Sequence, residues 1–244
     1  MAVYSGPNIV EDGLVLHLDA ANSKSYPGSG NTWSSIINNI NFSLINGATF
    51  NSNRLGTISF DGTNDFIRTY DSKLNIGTGD FTIEIWFYWN AQNFENEVGM
   101  KKVMGTKSSP AVGYEIWISD VIDLFGGLPY YVSTALVFRY GNNSVGGDLY
   151  NVDTIKPQQN GWNHALITRL NGVISVYLNE ILVGTPVTTS FDMNNNDNVY
   201  VIGGNNAGTE NFKGNVSVVK QYTKGFSIQE VQQNFNALRG RFGI

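Results

Sequence analysis

Cysteine is absent from this chain, and histidine occurs only twice, at His17 and His164. The first absence excludes disulfides and thiolate chemistry. Together the two make a zinc site improbable, because zinc draws most of its protein ligands from those residue types. Charge is sparse too: 14% of the 244 residues are Asp, Glu, Lys or Arg, and the net charge is −5. A nucleic-acid surface needs clustered Lys and Arg, and no such patch occurs before the last few residues, so no nucleic acid is expected as a partner. No apolar run approaches the roughly 18 residues of a membrane span, and no membrane partner is expected. The opening MAVYSGPNIV lacks a basic region followed by an apolar run, so no secretory signal is expected.

Glycine and aromatics are plentiful instead, at 27 residues and 13%, within 41% hydrophobic content. Many turns and many strand-favouring side chains describe an all-β protein. Short alternating runs fill the sequence, among them LVLHL from Leu14, TISF from Thr57, DFIRTY from Asp65, DFTIEIWFYW from Asp80 and GYEIWIS from Gly113. Later runs are STALVFRY from Ser133, NHALITRL from Asn163, VISVYLN from Val173, EILVGT from Glu180, VYVIGG from Val199 and NVSVVKQY from Asn215. Regular short strands parted by Gly/Asn turns predict a two-sheet antiparallel β-sandwich or jelly roll. Hairpin turns are expected at Asn171-Gly172 and Asn179-Glu180. One short helix is predicted near the C-terminus. Ser227 and Glu230 form a capping box, Ile228, Val231, Phe235 and Leu238 fall on one stripe, and Gly240 stands where a stop is expected. The polar stretches 26–31, 93–99, 141–148 and 192–198 read as surface loops.

The run FTIEIWFYWN raises the functional question. If Ile83, Ile85 and Phe87 enter the core, Glu84, Trp86 and Tyr88 lie on the outer face of the same strand. The related YEIWIS would add Glu115 and Trp117, provided that the two strands match in orientation. Three uses suit such a set: cover by the C-terminal helix or a loop, contact with a protein partner through aromatic anchors, or stacking on a glycan. His164 reads as a packed, hydrogen-bonded residue rather than a base. Calcium takes hard oxygen ligands from loops, and Asp61, Asn64 and Asp65 could supply them, as could Asp192, Asn194 and Asp197. The competing reading is that these residues only close turns. No cofactor is required.

Four stretches together resemble the laminin-G-like, concanavalin A-like lectin/glucanase jelly-roll superfamily: ISFDGTNDFI (58–67), FTIEIWFYW (81–89), GWNHALITRLNGVISVYLNEILVG (161–184) and VIGGNNAGTENFKGNVSVVKQYTKGFSIQEVQQNFNALRGRFG (201–243). The opening GLVLHLDAANSKSYPGSGNTW (13–33) and the ending VQQNFNALRGRFG resemble a narrower group, virion structural proteins of tailed phages, marine ones especially. After Trp33 the chain departs from the D-x-SG-N-G-N loop common in such proteins, reading SSIINNINFSLINGATF instead.

The resemblance implies a jelly-roll domain over 13–244. Gly6-Pro7 and weak alternation before Asp12 make 1–12 an N-terminal arm that orders on a partner and whose removal leaves the domain intact. The competing reading is an edge strand from Val3-Tyr4 and Ile9-Val10. The resemblance also implies that relatives often hold one calcium ion. Hydrolases of this superfamily carry Glu-x-Asp-x-x-Glu on a strand, because retaining hydrolysis needs two carboxyls about 5–5.5 Å apart. Here Trp86 and Tyr88 follow Glu84 at the alternate positions, and that pattern occurs nowhere in the chain. Glu84 and Glu115 could still meet across neighbouring strands, but no enzymatic activity is expected. The phage resemblance implies a virion protein assembled in the host cytoplasm and displayed on the particle as a capsid decoration or a tail, fibre or baseplate part. Its arm would hold other virion proteins, and a host-surface glycan is a candidate ligand. A bacterial carbohydrate-binding or adhesion module is the alternative, and a glycoside hydrolase is the third reading.

Overall fold

The computed structural model describes residues 6–90, 101–106, 113–125, 128–141, 146–150, 156–194, 197–205, 207 and 210–244. Its strands, numbered in chain order, form two antiparallel sheets. Sheet A contains β1 (Leu14–Asp19), β4 (Thr49–Asn51), β5 (Thr57–Asp61), β7 (Phe81–Trp89), β12 (Gly161–Leu170), β13 (Val173–Leu178), β14 (Ile181–Thr188) and β16 (Lys213–Tyr222). Sheet B contains β2 (Thr32–Ser34), β3 (Asn41–Ile45), β6 (Phe66–Tyr70), β8 (Lys101–Gly105), β9 (Gly113–Phe125), β10 (Leu128–Gly141), β11 (Gly146–Tyr150) and β15 (Val199–Ile202). The spatial order in sheet A is β14-β13-β12-β7-β16-β5-β4, with β1 also pairing β16, and in sheet B β11-β10-β9-β8-β15-β6-β3-β2. The many non-sequential neighbours are those of a jelly roll, as the sequence predicts.

Alternation places the core. Ile83, Ile85 and Phe87 of β7 pack with Ile116, Phe138 and Tyr200 of sheet B in one buried cluster. Burial of each such side chain contributes about 1.5–3 kcal/mol. Both expected hairpin turns form. Asn171 and Gly172 have φ of 52° and 77°, and Asn179 and Glu180 have 50° and 64°, the left-handed pairs that a two-residue turn between twisted strands requires. The edge strand β14 carries Gly184 at φ 70° beside a register break against β13, and Pro186 follows. A bulge and a missing N–H blunt that edge against pairing with another chain.

The single α-helix among the described residues, α1 (Ile228–Phe242), lies on sheet A. Its capping box forms as expected, with the Ser227 hydroxyl accepting the Glu230 N–H and the Glu230 carboxylate accepting the Ser227 N–H. The stop falls later than the sequence suggests. Gly240 is inside the helix, and Gly243, at φ 72°, ends it in the left-handed conformation. One loop expectation changes and another is not tested. Residues 146–148 belong to β11, and 93–99 lie outside the described residues.

The expected arm is docked over its last residues. Val10 is buried among Leu166, Tyr177, Tyr222, Phe226 and Val231, and its N–H donates to Asn234 Oδ1 of α1 at 2.8 Å. Gln233 Nε2 donates to the Asn8 carbonyl, and Lys224 pairs with Asp12 at 2.9 Å.

Candidate functional site

The outer face of sheet A is built in register rows. Across the first, His17 of β1 faces Lys220 of β16, Lys220 faces Glu84 of β7, and Glu84 faces Leu166 of β12. Across the second, Val218 faces Trp86 and Trp86 faces His164. Opposed residues of antiparallel strands project to the same side, so these side chains converge. The apolar stripe of α1 descends on them: Phe235 and Phe242 stack on the Trp86 ring at 5.8 and 4.5 Å, and Phe242 also meets Trp162 at 4.4 Å.

Glu84 is therefore sealed. Its Oε1 accepts from Lys220 Nζ at 2.8 Å and from Trp86 Nε1 at 2.9 Å, and its Oε2 accepts from Asn234 Nδ2 at 2.7 Å. His164 Nε2 stands 3.4 Å from Oε1. Burial alone would raise the Glu84 carboxyl, but Lys220 and His164 hold it well below the usual carboxylate range. Burial, with Lys220 nearby, pushes His17 down to about 4, and burial also lowers His164. A carboxylate with this many donors and no solvent is a structural anion. It has neither the freedom nor the proton affinity of an acid catalyst.

Glu115 and Trp117 do not join this set. Strands β7 and β9 belong to different sheets, so the two Glu-x-Trp units lie on opposite outer faces of the sandwich. Glu84 and Glu115 accordingly cannot form the close carboxyl pair of a retaining hydrolase. The units are nonetheless alike. Trp117 Nε1 donates to Glu115 Oε2 at 3.0 Å, and Lys102 Nζ lies 2.5 Å from Oε1, with Lys102 and Arg139 both near the Trp117 ring. In each sheet the Trp at i+2 donates a hydrogen bond to a buried carboxylate that a Lys from a neighbouring strand neutralises. Of the predicted site residues, Glu84, Trp86 and Tyr88 share the face of sheet A, with Glu84 and Trp86 buried and Tyr88 half-buried at its margin.

The calcium candidates work as turn residues. Asp65 Oδ2 accepts the Asp61 N–H at 2.9 Å, Asp61 Oδ1 accepts the Thr63 N–H at 2.7 Å, and the Asn64 carbonyl accepts from Asn46. Burial raises the Asp65 carboxyl. Asp192 Oδ1 accepts the Asn194 N–H, and Asn194 Oδ1 accepts the Gly77 N–H. Among the described residues no cluster of three or more Asp, Glu, His or Cys side chains could hold a metal. Sequence reasoning missed Lys220 and Asn234. A signal existed for the second, since Asn234 stands beside Phe235 and three residues after Val231 on the buried side of the helix.

Residues 61–232 match the Laminin_G_3 family of the concanavalin A-like lectin/glucanases superfamily. The chain belongs to this superfamily. No curated protein matches it by sequence. Solved structures share the fold at low identity. The binding domain of Paraclostridial Mosquitocidal Protein 1 superposes with a TM-score of 0.70 at 19% identity, over 92% of this chain and 52% of that one. The binding domain of Botulinum neurotoxin DC, in complex with SialylT, gives 0.67 at 15% over 93% and 52%. Domain 4 of AbnA, an extracellular arabinanase from Geobacillus stearothermophilus, in complex with arabinotriose, gives 0.63 at 18% over 93% of this chain and 100% of that domain. This member of the superfamily thus spans about half the length of the toxin binding domains that it resembles.

Proposed function

We propose that the chain is a non-catalytic jelly-roll module displayed on a tailed-phage virion, as a capsid decoration or a tail, fibre or baseplate part, where it binds a host-surface glycan. The state of Glu84 carries the non-catalytic reading. Glu84 of β7 is locked under α1 in a buried ion pair, and the other candidate, Glu115, is on the far sheet. Binding is supported by likeness to domains that bind glycans or receptors as part of larger proteins. The virion role rests on the stretches 13–33 and 231–243. The N-terminal residues carry the chain to other virion proteins and then dock along α1 from Asn8 onward.

The test is protein identification in purified particles together with assay on polysaccharides. Presence in the particle and no release of reducing ends above a buffer blank are expected. Absence from particles removes the virion role, and turnover lost in a Glu84→Gln variant removes the non-catalytic one. A bacterial carbohydrate-binding module is the second reading, favoured by full-length superposition on the arabinanase domain.

A further inference from the structure

Beyond the end of α1, a third register row crosses sheet A. Thr49 of β4 faces Ser59 of β5, Ser59 faces Asn215 of β16, Asn215 faces Tyr88 of β7, and Tyr88 faces Trp162 of β12. All five side chains project outward, because Phe50, Ile58, Phe60, Val216 and Phe87 fill the inward positions. None of the five is charged. Thr49 is exposed, and Ser59, Tyr88 and Trp162 are half-buried. The row covers four inter-strand steps of roughly 4.8 Å, about 19 Å in all. Phe242 of α1 stands against Trp162 on one flank, and Lys213 faces Asp61 on the other.

Asn215 is the centre of this row. It is only 3% exposed. Its Oδ1 accepts from Ser59 Oγ at 2.6 Å and from Thr57 Oγ1 at 3.3 Å, which fixes the plane of the carboxamide. Its Nδ2 donates to no group among the described residues and is not sealed from solvent. A buried amide ordinarily satisfies both of its ends. Here one end is anchored, and the other is a donor held at the floor of the row. Beside it, the Tyr88 hydroxyl donates to the Asn160 carbonyl at 2.5 Å, and Trp162 packs edge-on to the Tyr88 ring at 5.7 Å.

This combination selects among ligands. Sugar rings present C–H faces that pack on aromatic rings and hydroxyls that accept from an amide N–H or exchange hydrogen bonds with Ser59. An apolar peptide or helix would strand the Asn215 donor on docking, which costs the desolvation of that group. A charged ligand would find no counter-charge in the row. We propose that the Thr49–Ser59–Asn215–Tyr88–Trp162 row is a subsite for a neutral oligosaccharide, with Asn215 Nδ2 as the orienting donor and Trp162 and Tyr88 as the stacking surface. The proposal rests on the glycan-binding reading given above and assigns it a place.

The test is titration of the full chain with arabinotriose, cellotetraose, laminaritetraose and mannotetraose, followed by calorimetry and by NMR of side-chain amides and indoles. At least one saccharide is expected to move the Asn215 amide pair and the Trp162 indole N–H. Asn215→Ala and Trp162→Ala should each weaken that binding about tenfold or more, whereas Tyr70→Ala, on sheet B, should leave it unchanged. If a variant fails to fold, the resonance shifts of the unaltered chain decide the matter. Saccharide binding that leaves both resonances in place overturns the row while the glycan-binding reading stands. Failure of all four saccharides to bind overturns the row too, and detection of the protein in particles then separately decides its display role.

Discussion

The carboxamide of Asn234 ties Glu84 to Val10. Its Nδ2 donates to Glu84 Oε2 at 2.7 Å, and its Oδ1 accepts the Val10 N–H at 2.8 Å. One side chain of the last helix thus joins the N-terminal segment to the middle strand of sheet A. Asn234→Ala removes a hydrogen bond to a charged group, worth about 1.5–3 kcal/mol, and leaves the buried Val10 N–H without its acceptor. At about 2–4 °C per kcal/mol for a domain of this size, the melting temperature should fall by several degrees. An unchanged melting curve would mean that Asn234 does not hold the two together in solution.

Lys220 and Glu84 form a buried pair whose two halves should not be equally dispensable alone and together. Lys220→Met leaves a buried carboxylate without its counter-charge, and breaking a buried pair from one side costs about 3–5 kcal/mol. The double variant Lys220→Met/Glu84→Gln removes the stranded charge, so its loss should be smaller than that of Lys220→Met alone. Urea unfolding of the unaltered chain, of Lys220→Met, of Glu84→Gln and of the double variant checks this. Losses that simply add would show that the pair is not coupled.

Much of this architecture was legible in the chain, for physical reasons. The jelly roll follows from short alternating strands parted by Asn and Gly, and the helix from its Ser227–Glu230 box and apolar stripe. The inward face of β7 followed from Ile83, Ile85 and Phe87, and that assignment correctly put Glu84 and Trp86 on the other side. What covers them was not legible. The choice between a ligand and α1 depends on contacts between residues about 150 positions apart, such as Glu84 with Asn234. The grouping of Glu115 with Glu84 failed for a similar reason. Two Glu-x-Trp repeats look alike in sequence whether they share a sheet or face away from each other, and only strand order separates the cases. Asn215 offered no local signal, since its role comes from Ser59 and Thr57 on another strand.

Acid should weaken the helix-covered face before the rest of the fold. His17 is lowered to about 4 by burial and by Lys220, with Asp19 and Glu84 opposing and Arg241 adding, and His164 is lowered by burial. A histidine kept neutral in the fold takes up its proton more readily when unfolded. Its contribution is therefore fully present above the unfolded value of about 6.5 and is lost as pH falls toward the folded value. Glu84, held low in the fold, adds to the loss below the ordinary carboxylate range. Stability should accordingly decline from pH 6.5 to pH 4, and His17→Gln should flatten that decline. A profile unaffected by the substitution would show that His17 is not kept neutral by the fold.

The N-terminal segment gives the last expectation, and its docked residues argue against the one drawn from sequence. Gly6-Pro7 and weak alternation suggested an arm whose removal leaves the domain intact. Val10 instead sits in the cluster formed by Leu166, Tyr222, Phe226 and Val231, and Gln233 holds the Asn8 carbonyl at 2.8 Å. A version starting at Asp12 keeps the Lys224–Asp12 pair but loses both of those contacts. Exposing the hole left by a buried Val costs about 1.5–3 kcal/mol, and Asn234 Oδ1 loses its donor as well. The melting temperature should drop by several degrees, and Val10→Ala in the full chain should reproduce a large part of the drop without shortening anything. A truncated protein that melts with the full chain would show that the segment is held only loosely and is free to serve as an arm. A drop shared by Val10→Ala and the truncation would place residues 8–12 inside the domain and leave any attachment to residues before them.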